Sequence, residues 1–209
     1  MREAFFSAGG RARKGRAPLS LCAKLQGAVF LVNIAANNTG EPQGDSVRVV
    51  LFEPEIPPNT GNVARLCAGF GVELHLVGRL GFSLEDRYLR RAGLDYWPHV
   101  RLFVWDDWAA FAGRPGRSRL ERWILTTAKR QATPLQDFAF RPEDALIFGR
   151  ETRGLPDGLF AASPWRVRIP VRGMEEGGVR SLNLSTAAGI VLFTALTRSG
   201  LIGPGQERP

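Results

Sequence analysis

The chain has 209 residues, a formal net charge of +8, 44% hydrophobic residues and 23% charged residues. These values are typical of one globular domain with a substantial core, and the positive charge favours a polyanionic partner such as nucleic acid. Two cysteines, Cys22 and Cys67, cannot form a disulfide framework or a metal-ligand spacing, which excludes both classes of scaffold. We therefore expect a protein of the reducing cytoplasm without a metal site.

Residues 1–46 differ in composition from the rest of the chain. A basic run at residues 9–16 precedes an apolar stretch at 27–36 that is too short to span a bilayer. The pattern resembles a signal or transit peptide, but Lys24 intrudes and no Ala-x-Ala site ends the apolar part. We expect a basic extension that is disordered or dispensable. A targeting segment and upstream sequence from a misassigned start codon are the alternatives.

From Val47 onward, apolar runs alternate with helical patterns. Expected strands are 47–52, 73–77, 100–105, 123–127, 145–148 and 166–171. Expected helices are 61–70, 84–92, 106–112, 155–162 and 187–196. Asn59 or Thr60 can cap the first helix after a loop at 53–62, and Gly71 can end it. The alternation predicts an α/β domain at 47–200 with a mostly parallel sheet flanked by helices, and a flexible tail at 201–209.

Three polar, glycine-containing segments follow expected strands: 59–65, 148–156 and 173–185. Ligands of open α/β sheets bind beyond the carboxyl ends of the strands, so these segments could line one crevice. None contains the dinucleotide fingerprint or a phosphate-binding loop, which disfavours a dinucleotide or nucleoside triphosphate enzyme. Neither His75 nor His99 lies in these segments. No Ser-His-Asp arrangement is therefore evident, and both histidines are expected to be structural or at the surface.

The stretch at 187–196 is apolar on nearly every face and predicts a buried helix. Polar side chains crowd its start: Arg180, Ser181, Asn183, Ser185 and Thr186. The unpaired N–H groups of a helix N-terminus can hold polar groups of a ligand. A capped core helix is the alternative interpretation.

Four segments together resemble the SPOUT superfamily of RNA methyltransferases: EPEIPPNTGNVARLC at 53–67, LRRAGLDY at 89–96, FGRETRGLP at 148–156 and, within 168–187, RIPV followed by RSLNLSTA. The chain is most similar to the small tRNA (cytidine(34)-2'-O)-methyltransferases, over residues 47–200. This resemblance implies transfer of a methyl group from S-adenosylmethionine to the ribose of the wobble nucleotide, cytidine or 5-carboxymethylaminomethyluridine, in leucine tRNAs. The alternatives are a ribose methyltransferase for another tRNA or rRNA position and a non-catalytic knotted RNA-binding factor.

The resemblance also implies a deep trefoil knot in the C-terminal part and a cytoplasmic homodimer whose active site the second subunit completes, with no membrane association and no metal. It places cofactor contacts, largely through backbone groups, at Leu125, Gly149, Ile169, Ser181 and Leu182. Glycine at position 149 would let the backbone approach the cofactor closely, and the side chains of Leu125 and Ile169 would sandwich the adenine.

The same resemblance implies roles for five polar residues. Arg65 would hold a phosphate or the nascent alkoxide, because arginine stays protonated in proteins and cannot serve as a base. Asn59 and Asn183 would orient the ribose or the cofactor. Glu151 would anchor Arg65 or its loop, and Ser181 would bridge cofactor and substrate.

RNA contacts are implied at Arg65, Arg90, Arg91 and Arg153. Three positions depart from the family pattern, which has proline, asparagine and tyrosine where this chain has Arg150, Thr186 and Phe193.

Overall fold

A computed structural model describes residues 46–84, 96–128, 131–171 and 181–203. Within these ranges the strands are β1 Arg48–Phe52, β2 Glu73–Val77, β3 Arg101–Trp105, β4 Trp123–Thr126, β5 Thr133–Pro134, β6 Ala145–Phe148 and β7 Arg166–Arg168. The α-helices are α1 Pro57–Phe70, α2 Trp108–Ala112, α3 Asp157–Ala162 and α4 Leu184–Arg198. Short 3-10 helices span Trp97–His99 and Leu135–Asp137. No helix within the described ranges has the length and apolar character needed to cross a membrane.

The strands form a single sheet in the order β3-β2-β1-β6-β4-β7-β5, and every pairing is parallel. The expected α/β architecture with a parallel sheet is therefore confirmed. Strand β6 lies between β1 and β4, so the chain inserts a late strand beside its first one. The carboxyl ends of β1, β6, β4 and β7 consequently meet at one edge of the sheet, where ligands of such sheets bind.

Both faces of the sheet are buried, which explains the nearly continuous apolar runs of the strands. In β1, Val49 and Leu51 pack on one face with α1 and α4, whereas Val50 and Phe52 pack on the other with α2 and α3. This alternation follows from the period of two in a strand. The core is thus two layers of side chains, one on each side of the sheet.

Helix α1 begins earlier than the sequence suggested. The expected loop at 53–62 and the cap at Asn59 or Thr60 are wrong, because the helix starts at Pro57 after Ile56, which makes no side-chain cap bond. Proline fits the first turn of a helix, since the N–H that it lacks would have no partner there. The end of the helix is confirmed: Gly71 has the left-handed φ of 65° that favours glycine.

Other element boundaries differ by a few residues. Strand β7 ends at Arg168 rather than at residue 171, and α3 begins at Asp157 rather than at residue 155. Helix α4 begins at Leu184 rather than at residue 187, because Asn183 Oδ1 accepts hydrogen bonds from the backbone N–H groups of Ser185 and Thr186. The two-residue strand β5 is too short to leave a sequence pattern. The expected helix at 84–92 and nearly all of the N-terminal extension and tail lie outside the described residues.

A buried polar network lies at the opposite, amino-terminal edge of the sheet. The Glu121 carboxylate accepts hydrogen bonds from Arg48 and Arg114. His75 Nδ1 accepts a bond of 3.0 Å from Trp105 Nε1, and its Nε2 lies 3.2 Å from Glu73 Oε2. Burial of His75 lowers its pKa to about 4. The structural role expected for His75 is confirmed.

Candidate active site

A cavity of about 790 Å³ opens at the carboxyl ends of β4, β6 and β7. Its walls come from residues 126–128 after β4, residues 148–156 after β6, Ile169 and Val171 after β7, and residues 181–184 at the start of α4. Asn59 of α1 completes the lining. Parts of all three polar segments singled out in the sequence therefore converge on one crevice, as expected.

A chain of hydrogen bonds joins these segments. The Glu151 carboxylate accepts bonds from Asn59 Nδ2 at 3.1 Å, from the backbone N–H of Glu55 at 2.9 Å and from that of Ile56 at 3.3 Å. Asn59 Oδ1 then accepts a bond of 2.9 Å from Asn183 Nδ2. Since Asn183 Oδ1 caps α4, Glu151 is connected through two amides to the last helix.

These contacts define what the three residues do in the structure. Glu151 anchors the start of α1, and its three donors belong to that segment. Asn59 is only 6% exposed, and both ends of its amide bind protein groups. Asn59 and Asn183 therefore fix one another and the helix starts that carry them.

The turn after β6 explains Gly149. Arg150 and Gly154 exchange two backbone hydrogen bonds, of 3.2 Å and 2.9 Å. A Cβ on Gly149 would lie 2.2 Å from the carbonyl carbon of Gly154, a distance that no side chain tolerates. Glycine is therefore required here by the turn itself, and because Gly149 also lines the cavity, the expected close approach of the cofactor stays a prediction.

Contacts among four side chains hold this turn against the end of β1, and of these the sequence singled out Arg150 but not Glu53, Glu55 or Thr152. Arg150 donates to the Glu53 carboxylate. The Glu55 carboxylate accepts bonds of 3.0 Å from both the backbone N–H and the hydroxyl of Thr152. The sequence signal that could have indicated these contacts was the pair Glu53 and Glu55, which flank Pro54 directly after the apolar strand β1.

The side chain of Leu125 does not line the cavity, so it does not form the expected adenine sandwich with Ile169, whereas the expected backbone contact of Leu125 with the cofactor stays a prediction. The Leu125 side chain is 0% exposed and packs on the face of the sheet covered by α2 and α3. The alternation of side chains along β4 points it into the core. Thr126, Thr127 and Ala128 line the cavity instead.

Arg65 lies beside the cavity. It lines a neighbouring groove of about 560 Å³ together with Asn62, Ser185, Thr186 and residues of α1. Its guanidinium carbon is 5.5 Å from the centre of the Tyr96 ring. The Tyr96 hydroxyl donates to the Gly61 carbonyl at 3.1 Å, which ties that ring to the start of α1.

Of the other expected RNA contacts, Arg153 is exposed and lines the cavity, whereas Arg90 and Arg91 lie outside the described residues. No group of three His, Cys, Asp or Glu side chains within the described ranges could hold a metal ion. The cavity has the size of a cofactor site. Its apolar walls, such as Ile169, Leu182 and Val191, lie next to polar loop groups.

Comparisons with known proteins agree with this geometry. The SpoU rRNA Methylase family matches residues 46–193. A tRNA (cytidine(34)-2'-O)-methyltransferase from Burkholderia pseudomallei is 46% identical over 157 residues, which is 74% of this chain and 97% of that protein. A solved structure described as giving insights into the 2-OH methylation of C/U34 on tRNA is 44% identical. It has a TM-score of 0.65 and covers 74% of this chain and 96% of its own.

A more distant structure has the same fold. The AdoMet-bound rRNA methyltransferase from Sinorhizobium meliloti is 23% identical with a TM-score of 0.64, and the match covers 78% of this chain and 59% of that one. The family match spans most of the described domain, and the first relative is matched over nearly its whole length. The chain therefore belongs to the SpoU rRNA methylase family.

Proposed function

We propose that this protein transfers a methyl group from S-adenosylmethionine to the ribose 2'-hydroxyl of nucleotide 34 of tRNA. The observation that carries the proposal is the cavity at the carboxyl ends of β4, β6 and β7, whose wall is built by the linked residues Glu151, Asn59 and Asn183. The name of the relative at 46% identity supports the same reaction and the same nucleotide.

The cavity residues fit the cofactor. Ile169, Leu182 and Val191 offer an apolar surface for an adenine ring, and the adjoining loops offer backbone donors and acceptors for its edge. Ser181 is exposed at the mouth, where it can reach both cofactor and substrate. When bound, S-adenosylmethionine supplies a methyl group activated by a positively charged sulfur. The AdoMet-bound fold neighbour supports this assignment.

The residues of this chain contribute alignment and charge. Holding a ribose hydroxyl in line with the methyl group supplies much of the rate enhancement in such transfers, and a fixed positive charge stabilises the oxygen as it loses its proton. Arg65 is the cation for this role, because its planar guanidinium can hold a phosphate or the nascent alkoxide. Arg153, exposed at the cavity, would contact the RNA backbone, and Arg90 and Arg91 would also bind RNA.

The active enzyme would be a homodimer in which the second subunit completes the site. Two observations support this: Arg65 lines a groove beside the cavity rather than the cavity itself, and α4 exposes Phe193 (54%) and Ile190 (38%) to solvent. We place the enzyme in the cytoplasm with its tRNA substrate.

The C-terminal part would form a deep trefoil knot. Helix α4 packs against both α1 and β6, and Asn183 at its start bonds to Asn59 of α1, as expected for a segment tucked under an earlier loop. The methyltransferase domain would comprise residues 47–200, which agrees with the matched range of 46–193. The extension at 1–46 and the tail at 201–209 would then be dispensable for catalysis.

Mass mapping of ribose methylation tests the function. Total tRNA from cells with and without the gene is digested, and the 2'-O-methyl content of each position is compared. We expect nucleotide 34 of leucine tRNAs to lose its methyl group without the gene, and purified protein to restore it. Unchanged nucleotide 34 together with a loss in rRNA or at another tRNA position would contradict the proposed substrate in favour of that alternative.

A further inference from the structure

We propose that Glu55 and Thr152 are a positioning pair that holds the turn at 149–154 in its cofactor-binding position. The inference rests on the proposed function, because the turn forms one wall of the cavity assigned to S-adenosylmethionine. Neither residue belongs to the set of groups expected to touch the reacting atoms.

The contacts between the two loops are reciprocal. The Glu55 carboxylate accepts from the backbone N–H and the hydroxyl of Thr152, both at 3.0 Å. In return, the Glu55 backbone N–H donates to Glu151 at 2.9 Å. Each loop thus gives a carboxylate to an N–H group of the other, and hydrogen bonds to a charged acceptor are stronger than neutral ones.

Glu55 is the member of this pair that is held in place by the rest of the fold. The Gly81 N–H donates to the Pro54 carbonyl at 2.9 Å. A Cβ on Gly81 would lie only 2.8 Å from the Glu55 Cα, so the loop after β2 packs directly against the Glu55 backbone. Glu55 is therefore supported by the sheet, and Thr152 is the group that it holds.

The turn also has other restraints. Glu151 accepts bonds from the Ile56 N–H and from Asn59 Nδ2, but these act on residue 151, whereas Glu55 holds residue 152 directly. Within the turn, two backbone bonds between Arg150 and Gly154 close it. The Arg150 contact to Glu53 joins side chains that are 30% and 23% exposed, and solvent screening reduces the contribution of a partly exposed ion pair. Because residues 148–156 line the cavity continuously, a shift of this turn changes the cavity wall and weakens cofactor binding.

The test compares variants with small changes in shape. Thr152→Val removes the hydroxyl donor at nearly constant size, Thr152→Ser retains it, and Glu55→Gln weakens the acceptor. Ser118→Ala is the control, because it also removes a loop hydroxyl, one that accepts from the Leu120 N–H at 3.1 Å, but it lies before β4 at the opposite edge of the sheet from the cavity. The readouts are the Kd for S-adenosylmethionine by calorimetry, KM and kcat for methyl transfer to tRNA, and the thermal midpoint.

We expect Thr152→Val and Glu55→Gln to raise Kd and KM for S-adenosylmethionine about 3- to 10-fold, as for the loss of one hydrogen bond. The kcat and thermal midpoint should stay near wild type, the double variant should be no weaker than the worse single one, and Thr152→Ser should behave as wild type. A Thr152→Val variant that binds like wild type or like Ser118→Ala overturns the inference alone. A folded wild-type protein that binds no S-adenosylmethionine overturns the proposed function and this inference together.

Discussion

Asn59 shows how one side chain can hold the site together. Its side chain is almost fully buried, and its amide joins Glu151 to Asn183. A buried amide whose donor and acceptor both have partners stabilises one arrangement of the loops around it. The polar residues of the site therefore divide into linked residues that build the cavity and two exposed residues, Ser181 at its mouth and Arg65 in the groove beside it.

Arg65→Ala should abolish methyl transfer and leave the affinity for S-adenosylmethionine nearly unchanged. The reason is that Arg65 lines the groove beside the cavity rather than the cavity itself. Single-turnover kinetics and calorimetry measure the two effects. Arg119→Ala is the control, because Arg119 is also exposed but lies just before β4, at the opposite edge of the sheet. Retained activity in Arg65→Ala would rule out the assigned role.

His75 should make the stability of the protein depend on pH. Burial lowers its pKa to about 4 from an ordinary 6.5, so the unfolded chain binds a proton more readily than the folded one. The stabilisation from this residue is complete above pH 6.5 and is lost as the pH falls towards 4. Between pH 8 and pH 5, we expect the free energy of unfolding to fall by roughly 2 kcal/mol on its account.

Urea unfolding at several pH values measures this loss. His75→Gln can keep partners for Glu73 and Trp105 but does not titrate, so its free energy of unfolding should change much less over the same range. Equal slopes for His75→Gln and wild type would show that His75 is not the responsible group.

At the scale of elements, α1 is the helix that carries the site. Its first turn presents Asn59, and its outer face presents Arg65 to the groove. Two prolines open it without a side-chain cap, and Gly71 closes it through N–H bonds to the carbonyls of Ala68 and Cys67. The position of the helix is therefore set by its two ends. Its start lies in the segment at 53–67 that resembles the family motif, and its end lies a few residues beyond that segment.

Two glycines near the end of α1 should respond in opposite ways to alanine. Gly71 has a φ of 65°, so Gly71→Ala should lower the free energy of unfolding by about 1 kcal/mol. Gly69 lies inside the helix with no atom within 4 Å of an added Cβ, and Gly69→Ala should raise it by about 0.5–1 kcal/mol. Chemical denaturation of the pair checks the prediction. Equal effects of the two substitutions would contradict the C-cap interpretation.

At the scale of the whole molecule, the order of the strands creates the site. Three loops that are distant in sequence meet because β6 lies between β1 and β4. The opposite edge of the sheet carries the buried network of Arg48, Glu73 and Glu121, so its charges stabilise the fold away from the cavity. The cavity and the network of buried ions therefore lie at opposite ends of the strands.

The proposed homodimer predicts a result for an exposed residue of α4. Phe193 is 54% exposed and its ring lies 6.4 Å from that of Phe70. Phe193→Asp should convert a dimer into a monomer in light-scattering measurements and should abolish methyl transfer. Leu120→Asp is the control, because Leu120 is 68% exposed in the loop before β4. A wild-type protein that is monomeric at micromolar concentration would contradict the proposed dimer.

Much of the fold could be predicted from local patterns in the sequence. Strands such as β2 and β6 were predicted with the observed boundaries. Strand β6 is a continuous apolar run between Asp144 and Gly149, and β2 is an alternating run that ends before Gly78. The start of α1 was not, because prolines indicate a loop as readily as a first helical turn. Strand β5 was missed because two residues carry no periodicity and are held only by their partner β7.

The amino-acid sequence by itself determined the α/β class, the run of strands and helices, and the set of polar residues around the cavity, because these depend on local periodicity and on motifs read along the chain. Only the tertiary structure decided how the polar residues are used. It showed that Glu151, Asn59 and Asn183 bind one another, that Leu125 faces the core, and that Glu55 holds Thr152. Such pairings join residues far apart in the chain, and their geometry is set by the order of strands in the sheet, which no local pattern encodes.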